Sequence, residues 1–89
     1  MIAREEENMA QVEVKVFGVL RLETGIQSMT LQCERVGEVI PQLNRQAQTK
    51  VPIRARDVAL YLNGAACTRQ SVSLTDGDEI WIMSPAAGG

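Results

Sequence analysis

The sequence predicts an α+β domain of two layers, a β-sheet packed against one main helix, and three observations carry that prediction. Val12 to Val16 reads Val-Glu-Val-Lys-Val, the period of a half-buried strand, and Met29 to Glu34 alternates in the same way. Val36, Val39, Ile40, Leu43 and Ala47 recur at the spacing of one helical face. Strand-length apolar segments then follow at 58–62 and 79–83. A hairpin, a crossing helix and further strands on one side of it bury their apolar faces by forming two layers.

Taken in order, the first strand leaves Phe17 in phase with Glu13 and Lys15, on the outward face. Leu20 to Gln27 contains Thr24-Gly25 and reads as a turn, so the strands on either side should form a hairpin. The helix carries Asn44, Arg45, Gln46 and Gln48 on its polar side and is expected to be the single helix. Pro41 removes a backbone donor and clashes one turn back. The helix is therefore either kinked there or starts late enough to hold Pro41 in its first turn.

Val58 to Leu62 is apolar throughout, which suggests a strand covered on both faces, ended by the turn residues Asn63-Gly64. Val72-Ser73-Leu74 reads as a short strand and Thr75-Asp76-Gly77-Asp78 as a tight turn. Glu79 to Met83 is the last strand, stopped by Pro85. Alternation there turns Ile80 and Ile82 inward and Trp81 and Met83 outward. With Phe17 and Tyr61 they should form an exposed apolar patch on the sheet.

Composition narrows the function classes. A chain of 89 residues makes one small domain, which buries roughly 60 to 65% of its unfolded surface and leaves little room for a deep catalytic pocket. Its 45% apolar content suits a folded globule, and no apolar run approaches the roughly 20 residues of a membrane span. Residues 1–11 read as a flexible acidic extension, 12–83 as the folded domain and 84–89 as a flexible tail. The formal charge of −2 sits in the extension, because removing Arg4, Glu5, Glu6 and Glu7 leaves eight basic and eight acidic residues. Nucleic acid is therefore not an expected partner.

Arg45, Lys50, Arg54, Arg56 and Arg69 face only Asp57 across their stretch, an imbalance that a solvated mixed surface accounts for. There is no histidine, so the commonest general base is missing. Cys33 and Cys67 match no metal or redox spacing. Cys33 falls in phase with Met29 and Leu31 as a core residue, and Cys67 in a loop or short strand. Two free thiols fit a reducing compartment, with a disulfide between them the other option.

The sequence closes on Ser84-Pro85-Ala86-Ala87-Gly88-Gly89, a run with little side-chain bulk and no side-chain charge. A carboxylate carried on two residues without Cβ atoms is unhindered and can thread a narrow channel in another protein. Ordering Ala86 to Gly89 would cost about 1 to 2 kcal/mol per residue, so a folded surface must supply much of any affinity.

In this order the pieces resemble the β-grasp sulfur carriers of the MoaD/ThiS type, which are ubiquitin-like. The residues that carry the resemblance are Leu74-Thr75-Asp76-Gly77-Asp78-Glu79-Ile80 and, one strand later, Pro85-Ala86-Ala87-Gly88-Gly89. Val14-Lys15-Val16-Phe17-Gly18 with Arg21 and Gly25, Val36-Gly37-Glu38-Val39, and Leu62-Asn63-Gly64 support it. Arg35 at the helix start, Pro41, Ser84 before Pro85 and the acidic extension depart from the family pattern.

The resemblance implies a β-grasp fold with a mixed sheet of four to five strands. It also implies that Gly89 is adenylated and then converted to a thiocarboxylate. The activating partner would be an adenylyltransferase of the ubiquitin-activating-enzyme type using ATP and Mg, with a persulfide as sulfur donor. Pro85, Ala86, Ala87 and Gly88 would be held in the partner's channel, and Phe17, Arg21, Tyr61, Trp81 and Met83 would face the partner. The chain itself would bind no cofactor or metal and would not be catalytic alone.

The longer first loop and the Pro-x-x-Gly-Gly ending are most like the small subunit of molybdopterin synthase. Its large subunit would then receive the sulfur, in the cytoplasm. A thiazole-pathway carrier, a ubiquitin-like modifier joined to lysines through Gly89, and a plain interaction domain with incidental glycines are the other readings.

Overall fold

β1 (Ala10–Val16) and β2 (Ser28–Cys33) form the expected antiparallel hairpin, with Val12 opposite Leu31 and Val14 opposite Met29. The computed structural model describes residues 9–47 and 52–85. On its other side β1 pairs in parallel with β5 (Glu79–Met83), Val14 lying beside Ile80 and Val16 beside Ile82. β5 pairs antiparallel with β3 (Ala59–Leu62), and β3 with the two-residue β4 (Ala65–Ala66). The sheet order is β2-β1-β5-β3-β4, a mixed five-stranded sheet of the β-grasp type.

The helical layer covers one face of this sheet. A 3-10 turn (Val36–Glu38) leads into a helix (Val39–Gln46) whose Val39, Ile40 and Leu43 are buried. They pack in one core with Val12, Val14, Val16, Leu31, Cys33, Ile80 and Ile82. Leu43 and Ile82 are fully buried, so truncating either to alanine would cost about 2 to 5 kcal/mol. Gly37 permits a close approach at the helix entry: its N–H donates to the Gln70 carbonyl at 2.9 Å, and a Cβ there would meet Gln70 at 3.0 Å.

Pro41 is the third residue of the Val39–Gln46 helix. A first-turn N–H has no intrahelical acceptor, so nothing is lost by its absence. The late start is therefore what resolves the awkward proline, not a kink.

Elsewhere the structure corrects the sequence expectations. Leu20 to Gln27 is not simply a turn, because Val19–Thr24 forms a short helix, here α1, which makes Val39–Gln46 α2. Leu20 and Thr24, four apart, are the buried anchors of α1. The Thr24 hydroxyl donates to the Leu20 carbonyl at 2.8 Å and accepts from the Ile26 N–H at 3.1 Å, while Gly25, at φ 73°, ends the helix. A turn signal and a helix C-cap use the same residues, Thr24 and Gly25, so the sequence pattern does not distinguish them.

β3 starts at Ala59 and is only half-buried along its length, since its outer neighbour β4 is two residues long. Val72 to Leu74 contributes a single bridge, Ser73 to Arg35, in place of the expected strand. β1 starts at Ala10, two residues earlier than the alternation suggested. Cys33 is buried in the core, Cys67 is half-buried, and both are free thiols.

Candidate functional site

Parallel pairing of β1 and β5 decides where the tail leaves the domain. Both strands end at the same edge of the sheet, and the Phe17 N–H donates to the Ile82 carbonyl at 2.9 Å to tie them there. Beyond β1 the chain turns through Gly18 into α1, and beyond β5 it runs through Ser84 to the exposed Pro85. Ala86, Ala87, Gly88 and Gly89, the other expected tail residues, lie outside the described residues.

Upstream of β5, the Thr75–Asp78 turn sets this register. The Asp78 carboxylate accepts from the Thr75 N–H at 2.8 Å and from the Asn63 side-chain amide at 3.0 Å. Asn63 in turn accepts the Glu79 N–H at 2.9 Å on its side-chain oxygen and donates its own N–H to the Glu79 carbonyl at 2.8 Å. Gln11 donates to Asp76 Oδ1 at 2.8 Å, and Gly77, at φ 92°, donates back to the Gln11 carbonyl at 3.0 Å. The motif that carries most of the family resemblance is thus a clamp holding the start of β5 between β1 and the β3–β4 turn.

The face of the sheet away from the helix carries the expected patch. Trp81 stands between Lys15 of β1 and Tyr61 of β3. Phe17 meets its ring edge-on at 6.0 Å and Tyr61 lies tilted at 6.4 Å. Met83 projects next along β5, opposite Ala59. Phe17 is 37% exposed, and Tyr61, Trp81 and Met83 are half-buried. The structure therefore brings Phe17, Tyr61, Trp81 and Met83 onto one face, on the strands that end beside the tail.

Arg21 is exposed on α1 and makes no salt bridge to a described residue. The same helix exposes two aliphatic side chains that the turn expectation does not single out, Val19 at 58% and Leu22 at 82%. Their i, i+3 spacing, against the buried Leu20 and Thr24, was the available signal.

Charge at the patch is paired locally. Lys15 Nζ lies 2.7 Å from Glu79 Oε2. This bond raises the lysine pKa above its ordinary value and holds the Glu79 carboxyl below the usual carboxylate range. The Trp81 indole N–H adds to the Glu79 effect without reaching full hydrogen-bond geometry, so its buried nitrogen has no partner.

Burial, helped by the Glu38 charge, pushes the Cys33 thiol up to about 11, which keeps it neutral and unreactive at pH 7. Among the described residues no group of three histidine, cysteine or acidic side chains could hold a metal ion. No helix among them is long and apolar enough to cross a membrane. The described residues offer an apolar face and a directed strand end.

These features define a small ubiquitin-like β-grasp protein. The model of the ThiS family matches residues 14–89, and the chain belongs to this family of ubiquitin-fold sulfur carriers. Its structure is similar to the small archaeal modifier protein 1 of Methanosarcina acetivorans, with 27% identity, a TM-score of 0.74, and 91% of this chain and 98% of that one covered. A putative molybdopterin converting factor subunit 1 from Pyrococcus furiosus matches with 22% identity and a TM-score of 0.72, covering 86% and 99%. Subunit 1 in the complex of subunits 1 and 2 of the Helicobacter pylori molybdopterin-converting factor matches with 21% identity and a TM-score of 0.63, covering 89% and 99%. A search of curated proteins finds no match.

Proposed function

We propose that this chain carries sulfur as a thiocarboxylate on Gly89 and delivers it in molybdopterin synthesis. The observation that carries the reading is that the family match runs through Gly88-Gly89, the residues that follow the strand end described above. A carboxylate is a poor electrophile, so an adenylyltransferase partner would use ATP and Mg to join Gly89 to AMP, releasing pyrophosphate. The terminal sulfur of a persulfide would attack the acyl carbon and displace AMP, forming an acyl disulfide. A second thiol would cleave its S–S bond, leaving the thiocarboxylate and a disulfide on the donor.

In this scheme Pro85 to Gly88 thread the partner's channel, and Phe17, Arg21, Tyr61, Trp81 and Met83 contact its surface. This chain contributes the carried group and the docking face, and its partners contribute nucleotide, base and metal sites. The receiving partner would be a molybdopterin synthase large subunit, by analogy with the two-subunit Helicobacter pylori complex, and the reaction would take place in the cytoplasm.

Expression in a strain lacking its own molybdopterin small subunit tests the pathway, and rescue is expected. Failure there, beside rescue of a thiazole-deficient strain, would move the chain to the thiazole pathway. A second reading, a modifier joined to lysine amines through Gly89, is favoured by the likeness to an archaeal modifier protein. Isopeptide-linked Gly-Gly remnants from this chain in cell digests would support the modifier reading.

A further inference from the structure

We infer that the aliphatic ridge of α1, Val19 and Leu22, is a docking element for the enzyme that adenylates Gly89. The inference rests on the sulfur-carrier reading but assigns residues that neither the family resemblance nor the open sheet face supplies. Leu22 is 82% exposed and Val19 58%, the two most exposed large apolar side chains among the described residues. They lie one helical turn apart on the same side of α1, opposite the buried Leu20 and Thr24 that fix the helix to the core. Side by side, they make an apolar ridge that a partner could cover.

The tail geometry says what covers it. Because β1 and β5 are parallel and end together, α1 and the tail leave the sheet at one edge. Gly89 lies four residues beyond Pro85, and at 3.3 to 3.6 Å per residue that span reaches at most about 14 Å. Val19 is three residues beyond Val16, the partner of Ile82, so the chain puts it within about 11 Å of that strand end. An enzyme that grips the Gly89 carboxylate must therefore sit over the edge from which α1 projects. Phe17 bridges the two surfaces, touching Trp81 and leading into α1. The activating enzyme, and not the final acceptor, is the assigned occupant because adenylation is common to the carrier and modifier readings.

The test uses the full chain, with the cognate adenylyltransferase followed by ATP–pyrophosphate exchange. Val19→Ala/Leu22→Ala and Leu22→Lys are compared with wild type and with Gln46→Ala, an exposed position on α2, each first checked for an unchanged melt by Trp81 fluorescence. The inference predicts a KM for the carrier raised about tenfold or more in both ridge variants, with kcat and the Gln46→Ala values unchanged. Wild-type KM in both ridge variants would overturn it while leaving the carrier reading intact. A wild-type chain that supports no exchange would overturn both. A wild-type dimer that the ridge variants make monomeric, with KM unmoved, would overturn it in favour of self-association.

Discussion

Replacing Asp78 with alanine should show how far the clamp at the start of β5 holds the functional end in place. The substitution removes two acceptor contacts, from the Thr75 N–H at 2.8 Å and the Asn63 amide at 3.0 Å. It also frees Asn63, whose oxygen receives the Glu79 N–H. Thr75 and Asn63 are exposed, so their donors are rehydrated once released. The cost then lies near the net worth of two to three ordinary hydrogen bonds, about 2 to 3 kcal/mol.

A domain of 89 residues has a total stability of roughly 4 to 13 kcal/mol, and each kcal/mol moves Tm by about 4 to 8 °C. The variant should therefore melt roughly 8 to 24 °C lower. Urea unfolding followed by Trp81 fluorescence measures the loss, and hydrogen exchange at the Glu79 amide reports whether the clamp has opened. A loss below about 0.5 kcal/mol with Glu79 protection unchanged would refute the claim that this turn holds β5.

Three further outcomes follow from the same structure. In the native protein at neutral pH an alkylating reagent should modify Cys67 alone, because Cys33 is buried with its pKa near 11; denaturation should expose both, as counted by intact mass. The Lys15–Glu79 bond should stabilise the fold across neutral pH. Its Glu79 part is present above the unfolded carboxyl pKa and lost as pH falls through the lowered folded value, and its Lys15 part is lost as pH rises through the raised one. Lys15→Met should remove the alkaline dependence and weaken the acid one in urea midpoints, the Trp81 contribution to Glu79 remaining, with a smaller difference in high salt because the pair is exposed. Pro41→Ala should change stability by less than about 1 kcal/mol, whereas a gain near 3 kcal/mol would show that the proline strains a helix interior.

What the sequence made legible was whatever rests on period. Alternation gave β1, β2 and β5 and the inward Ile80 and Ile82, and the 3.6-residue spacing gave the α2 face. Phe17, Trp81 and Met83 were assigned outward by phase alone, and they lie on the face away from the core. Period could not find α1, because six residues hold less than two turns and Thr24-Gly25 reads equally as a turn or a C-cap. Nor could it show that Ala65–Ala66, and not Val72–Leu74, completes the sheet edge, since a two-residue strand has no period. The Asn63–Asp78 contact joins residues 15 apart, and only the folded chain shows that a turn motif is also a clamp.

Intact mass spectrometry of the full chain after incubation with its activating enzyme, ATP, Mg and a persulfide donor tests the central claim most directly. The account predicts the mass gain of one oxygen replaced by sulfur, localised to Gly89, and no gain when one residue is appended after Gly89. An unchanged mass for the wild-type chain under conditions where the enzyme charges its known carrier would contradict it.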